Sequence, residues 1–247
     1  MKYKVNYLEG ELSEITDYLL LNTSFCNNIG VLNGRMGVCL YFYFLSKFPK
    51  LSFFQGFANE LLDEVIDQIN LDTSIDFSSG LSGIAWGIDI LFKEDFLEGD
   101  VDDVLADYDR QIIEVLCSKE INDNSFNTGL EGVLYYLIYR YMSPCKFLSF
   151  HIFDNLINDK SVVNSSNLLS FIEKIDEIAS IDSKLKQPLK NIVREFQHKI
   201  EDKYLVDPIY ENITKSQMSD FPNQGQARPL GLVQDGCVSR SIYLLSY

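Results

Sequence analysis

Basic residues are scarce in this 247-residue chain. Its 21 Lys and Arg stand against 36 Asp and Glu, a formal charge of −15. That balance excludes a phosphate backbone as the natural ligand and favours solubility, with attraction only toward basic partners. Long apolar runs are missing too. None reaches the ~18 residues of a membrane span, and the opening MKYKVNYLEGELSEITDYLL carries acidic residues where a signal peptide needs an unbroken apolar core. A cytoplasmic protein is expected. The five cysteines, Cys26, Cys39, Cys117, Cys145 and Cys237, are irregularly spaced and form no disulfide framework. There is no phosphate-binding loop, dinucleotide fingerprint or nucleophile elbow. No Pro/Gly/Ser-rich linker divides residues 1–247, which are read as one domain. With 46% hydrophobic and 23% charged residues, the composition is globular.

What is present is a repeated glycine pair. Asn33-Gly34-Arg35-Met36-Gly37 is followed by Ser79-Gly80-Leu81-Ser82-Gly83 and Thr128-Gly129-Leu130-Glu131-Gly132. A fourth copy, Asp235-Gly236-Cys237-Val238-Ser239, has serine for the second glycine. The residue before each first glycine is Asn, Ser, Thr or Asp, the preferred helix N-caps. An apolar residue stands two positions before each cap: Val31, Phe77, Phe126 and Val233. An apolar run follows each motif: Val38–Leu45, Ile84–Phe92 (broken by Gly87 and Asp89), Val133–Tyr139 and Ile242–Leu245. The positions of Gly34, Gly80, Gly129 and Gly236 imply a period of roughly 50 residues, with one unit between the last two that has lost its glycines.

Amphipathic stripes lie between the motifs. Leu8, Leu12, Ile15 and Leu19 make one, and Leu61, Leu62, Val65, Ile66 and Ile69 another. A longer stripe runs Val101, Val104, Leu105, Tyr108, Ile112, Val115 and Leu116, with Asp100 as its N-cap. A late one joins Leu189, Ile192, Val193, Phe196 and Ile200, with Pro188 suited to a first turn. A helix apolar on all sides is buried, whereas an amphipathic one covers a core. The alternation therefore predicts an all-α fold, an α/α toroid or an α-solenoid, whose inner helices begin at the glycines. Buried parallel strands are the competing reading of short runs rich in Tyr and Phe. They fit less well, because the glycines precede the apolar runs instead of following them.

The stretches VLNGRMGVCLYFYFLSK, FSSGLSGIAWGIDILFKEDFLEGDVDDVL, NTGLEGVLYYLIYR and PLGLVQDGCVSRSIYLL resemble the lanthionine synthetase C-like family, the cyclase-type proteins of lantibiotic (lanthipeptide) maturation. The resemblance implies an α/α toroid with glycine pairs at the starts of the inner helices. Gly34, Gly37, Gly80, Gly83, Gly129, Gly132 and Gly236 then line the ring axis. It also implies a peptide substrate or a peptide-modifying enzyme as partner. The family builds seven helix pairs, whereas this sequence has room for about five. An incomplete ring of that kind is also a candidate for homodimerisation.

The resemblance further implies a catalytic zinc held by one Cys and a later Cys-His pair. Zinc would deprotonate a peptide thiol for addition to a dehydrated Ser or Thr. This sequence has no Cys-His dipeptide, and its two histidines, His151 and His198, stand outside the motifs. No cofactor is therefore expected. A degenerate member that binds a peptide or a partner enzyme is the leading expectation. An active cyclase with rearranged zinc ligands (Cys145, His151 and Cys237, of which only Cys237 falls in a motif) is the alternative. A third reading is a carbohydrate-active toroid. Acidic residues fall near the motif starts at Asp76, Glu131 and Asp235, and its paired carboxylates would be Asp76 and Glu131 on neighbouring inner helices, although carboxylates there also simply suit the helix dipole. The tyrosines Tyr41, Tyr43, Tyr135, Tyr136 and Tyr139 are expected to pack the core. The Pro-bearing segment from Tyr204 to Leu230 is read as a lid or as the remnant of a helix pair.

Overall fold

A computed structural model describes residues 10–142, 165–199, 230–232 and 236–246. Among these residues the regular structure is helical, with no strand. The apolar runs that also suited buried strands are helices. In chain order the α-helices are α1 (Glu11–Asn22), α2 (Arg35–Ser46), α3 (Phe54–Gln68), α4 (Leu81–Lys93), α5 (Val101–Ser118), α6 (Leu130–Met142), α7 (Ser165–Lys174), α8 (Ser183–Lys199) and α9 (Cys237–Ser246). They fall into two compact units. The first holds α1, α2, α3 and α9, and the second holds α4 to α8.

Two kinds of helix alternate from α1 to α6. In α2 every residue from Met36 to Ser46 is buried, and in α4 every residue from Leu81 to Leu91. In α6 the buried stretch runs from Gly132 to Tyr139. The helices between them bury one stripe each. In α3 it is Ala58, Leu61, Leu62 and Val65, and in α5 Leu105, Asp109, Ile112, Ile113 and Leu116. The stripes predicted from periodicity are thus right in phase and wrong at their edges. Ile66 and Val104 are exposed, and Asp109 is buried among the leucines and isoleucines.

In the first unit α2 packs on α3 and α9, and α9 on α1. The Tyr41 hydroxyl of α2 lies 2.7 Å from Thr16 Oγ1 of α1, which donates to the Leu12 carbonyl. In the second unit α4 packs on α5 and α6, α5 also on α8, and α7 on both α6 and α8. Asp100 caps α5 as expected, accepting from Asp102 N at 2.8 Å. Pro188 departs from expectation. It lies inside α8, because the helix starts earlier, at Ser183, where Asp182 Oδ1 accepts from Lys184 N at 2.8 Å.

Candidate functional site

The first three glycine motifs share one loop geometry, and it corrects their predicted caps. The N-cap residues of α2 and α4 are Gly34 and Gly80 themselves, and neither makes a side-chain cap. Asn33, Ser79 and Thr128 stand one position too early. The first free N–H of each helix is satisfied by a main-chain carbonyl seven residues back. Arg35 N donates to Asn28 O at 2.9 Å, Leu81 N to Ser74 O at 2.7 Å, and Leu130 N to Asp123 O at 2.9 Å. The same three residues fold their own turns with their side chains. Asn28 Oδ1 accepts from Gly30 N at 2.8 Å, Ser74 Oγ from Asp76 N at 3.4 Å, and Asp123 Oδ1 from Ser125 N at 2.8 Å. Bonds from Thr128 and Ser125 hold the Asp123 carboxyl below the usual range. Glycine is required by this close approach. A Cβ on Gly34, Gly80 or Gly129 would strike the carbonyl of Asn28, Ser74 or Asp123. The signal that escaped the sequence reading is therefore a short polar residue six positions ahead of each first glycine.

The second glycines bring neighbouring loops together. A Cβ on Gly132 would sit 2.6 Å from the Phe77 Cβ of the preceding motif, and one on Gly37 would sit 3.2 Å from the Gly231 Cα. Main-chain bonds join the same loops: Ser78 N to Asn127 O at 2.9 Å, and Leu232 N to Val31 O at 3.4 Å. Gly83 lies buried on α4 beside Ser82, whose hydroxyl donates to Ile75 O at 2.6 Å. Gly236 is buried ahead of α9, and its carbonyl accepts from Arg240 N at 3.0 Å. Gly231, which lies outside the glycine pairs, supplies the close contact to Gly37.

Between the loops of the second unit lies a cleft of about 400 Å³. Ile75, Val115, Ile121 and Val133 give it an apolar lining, and Asp72, Asp76, Glu120, Asp123 and Lys119 supply its charges. Asp76 is thus in the cleft, where its Oδ1 accepts from Ser79 N at 2.8 Å. Glu131 is not among the lining residues. It is half-buried on the first turn of α6, and desolvation pushes its carboxyl above the ordinary range. Asp235 lies outside the described residues, as do Cys145, His151, Val233 and the segment from Tyr204 to Pro229.

Cys237 is fully buried at the start of α9. Among the described residues no three His, Cys, Asp or Glu side chains come together as a metal site. Tyr41, Tyr43, Tyr135, Tyr136 and Tyr139 are all buried, as core packing requires. Burial pushes the Tyr41 hydroxyl up to about 12.

A second group was not anticipated. Asp89, fully buried on α4, pairs with Lys93 at 2.6 Å. Arg140 of α6 points among three carboxylates. It bonds to Asp102, its Nε is 3.4 Å from Asp109 Oδ2, and its Nη1 is 4.0 Å from Asp89 Oδ1. Tyr136 donates to Asp109 Oδ1, and Tyr141 to Asp109 Oδ2 at 3.0 Å. The sequence held a hint of this group, since Asp89 interrupts an otherwise apolar run and Asp109 falls on the face of Leu105 and Ile112.

Comparison with known families agrees with this architecture. A family model described as lanthionine synthetase C-like protein matches residues 26–193. The match covers more than half of the chain and takes in the first three motifs, so the chain belongs to that family. No curated protein and no solved structure matches it. Among the described residues no helix is long and apolar enough to cross a membrane.

Proposed function

We propose that the chain is a peptide-binding, zinc-independent member of the lanthionine synthetase C-like family, working in the cytoplasm in the maturation of a ribosomal, lanthipeptide-type product. The observation that carries this reading is a contrast. The glycine loops keep a common geometry across three motifs, whereas the sequence has no Cys-His pair and seals its last motif cysteine in the core. The loops and the cleft between them provide a concave, partly apolar surface of the kind that holds a peptide segment.

The test uses purified full-length protein and a Ser/Thr-rich, Cys-containing precursor peptide encoded beside its gene. Calorimetry reads binding, thiol alkylation with mass spectrometry reads ring formation on the dehydrated peptide, and elemental analysis reads zinc in the wild type and in Cys237→Ala. Binding with every thiol still alkylatable and no zinc is the expected result. Thiol loss together with one zinc per chain, absent from Cys237→Ala, would establish the rearranged cyclase instead. No binding at all would remove the peptide role. The carbohydrate-active reading has less support, because the cleft takes in Asp76 and leaves Glu131 outside.

A further inference from the structure

Helices α4 and α6 are pinned together at both ends. At their starts Ser78 N bonds to Asn127 O, and Phe77 seats on Gly132. Near their ends Asp89 and Lys93 of α4 meet Arg140 of α6, and α5 brings Asp102 and Asp109 to the same place. The buried charges match in number, two carboxylates (Asp89, Asp109) and two cations (Lys93, Arg140), but not in contact: Arg140 bonds to the exposed Asp102 and stands 3.4 Å from Asp109 and 4.0 Å from Asp89. A buried carboxylate short of close donors is expensive, and the usual relief is proton uptake.

The hydrogen bonds select the acceptor of that proton. Burial pushes the Asp109 carboxyl up, but it takes a phenolic donor on each oxygen, from Tyr136 and Tyr141, and these bonds favour its ionised state. Asp102 is solvated. Asp89 is fully buried, and its Oδ1 makes no hydrogen bond. We propose that Asp89 is the proton site of a pH-operated clasp. Protonated, it needs no second cation and lets α4, α5 and α6 close on Arg140; ionised, it leaves a buried carboxylate oxygen without a donor and loosens the ends of these helices. Burial pushes the Asp89 carboxyl above its ordinary value of 3.8, against the opposing pull of Lys93 and Arg140. The folded state then holds more protons than the unfolded chain, and stability falls as pH rises through the raised value.

The chain carries its own reporter. Trp86 is its one tryptophan, fully buried on α4 one turn before Asp89. Urea unfolding of the full chain, followed by Trp86 fluorescence between pH 5 and pH 8, is the test. The wild-type midpoint should rise as pH falls, and Asp89→Asn should lose that dependence while keeping a high midpoint at pH 8. The same slope in both proteins would overturn the proposal, because it would come from general relief of the −15 charge. Should Asp89→Asn fail to fold, Lys93→Met provides a second reading. Removing this cation should move the wild-type pH transition upward, and an unmoved transition would also overturn the clasp.

Discussion

The two units solve the same packing problem with different chemistry. In the first, the buried helix α2 is tied to α1 by neutral hydroxyls, Tyr41 and Thr16, and its ion pairs lie at the margins, Arg35 with Glu64 and Arg240 with Glu11. In the second, the equivalent buried helices α4 and α6 meet through Asp89 and Arg140, both almost fully buried. A neutral tie loses little when broken, because each hydroxyl exchanges one partner for another. A buried charge set is cooperative, and removing one member leaves the rest uncompensated. The second unit should therefore be the one whose stability responds to single polar substitutions and to pH.

The largest effect should come from Arg140→Leu. It strands Asp109 without its cation, leaves Asp89 with Lys93 alone and should cost about 3–5 kcal/mol, read as a lowered urea midpoint in Trp86 fluorescence. An effect below about 1 kcal/mol, the value of an exposed pair, would show the cluster to be hydrated and would erase the contrast between the units.

Gly132→Ala should come next, at about 1–3 kcal/mol, because its Cβ would overlap Phe77 and the Phe126 carbonyl. The matched control is Gly56→Ala, on the exposed face of α3, where a Cβ meets nothing within 4 Å. This change should stabilise the chain by about 0.5–1 kcal/mol through helix propensity. Thermal melts of the two variants give opposite signs if close approach is what fixes the motif glycines.

The smallest loss belongs to the first unit. Tyr41→Phe removes the donor to Thr16, while Thr16 keeps its bond to Leu12 O, so about 1 kcal/mol is expected. A double cycle of Tyr41→Phe with Thr16→Val, followed by circular dichroism, measures the pair directly. A coupling as large as the Arg140 effect would mean that neutral ties are no weaker than charged ones.

Much of the architecture was legible along the chain. The runs after Gly34, Gly80 and Gly129 became the all-round buried helices, and the stripes between them became amphipathic ones with their phase correct. The caps were misplaced by one residue. Asn33, Ser79 and Thr128 look like N-caps in isolation, but the acceptor that satisfies each helix is a carbonyl seven residues upstream. That carbonyl belongs to a turn whose own signal, Asn28, Ser74 or Asp123, lies outside the glycine pair. The candidate site was legible only in part. Asp76 does line a cleft, but Glu131 has no reason in the sequence to be excluded from it. Likewise nothing local assigns Arg140 to Asp89, which lies 51 positions away.

The sequence by itself determined what short-range physics controls: which segments are helices, which of them are buried on every side, and where glycine is obligatory. Periodicity and composition suffice for these, because burying an apolar helix does not depend on the identity of its neighbour. Only the tertiary structure decided which polar groups meet. A buried carboxylate can be held by any cation that the fold delivers. The delivery of Arg140 to Asp89 and Asp109, and of Phe77 to Gly132, is set by the packing of α4, α5 and α6, a property of no single stretch of chain.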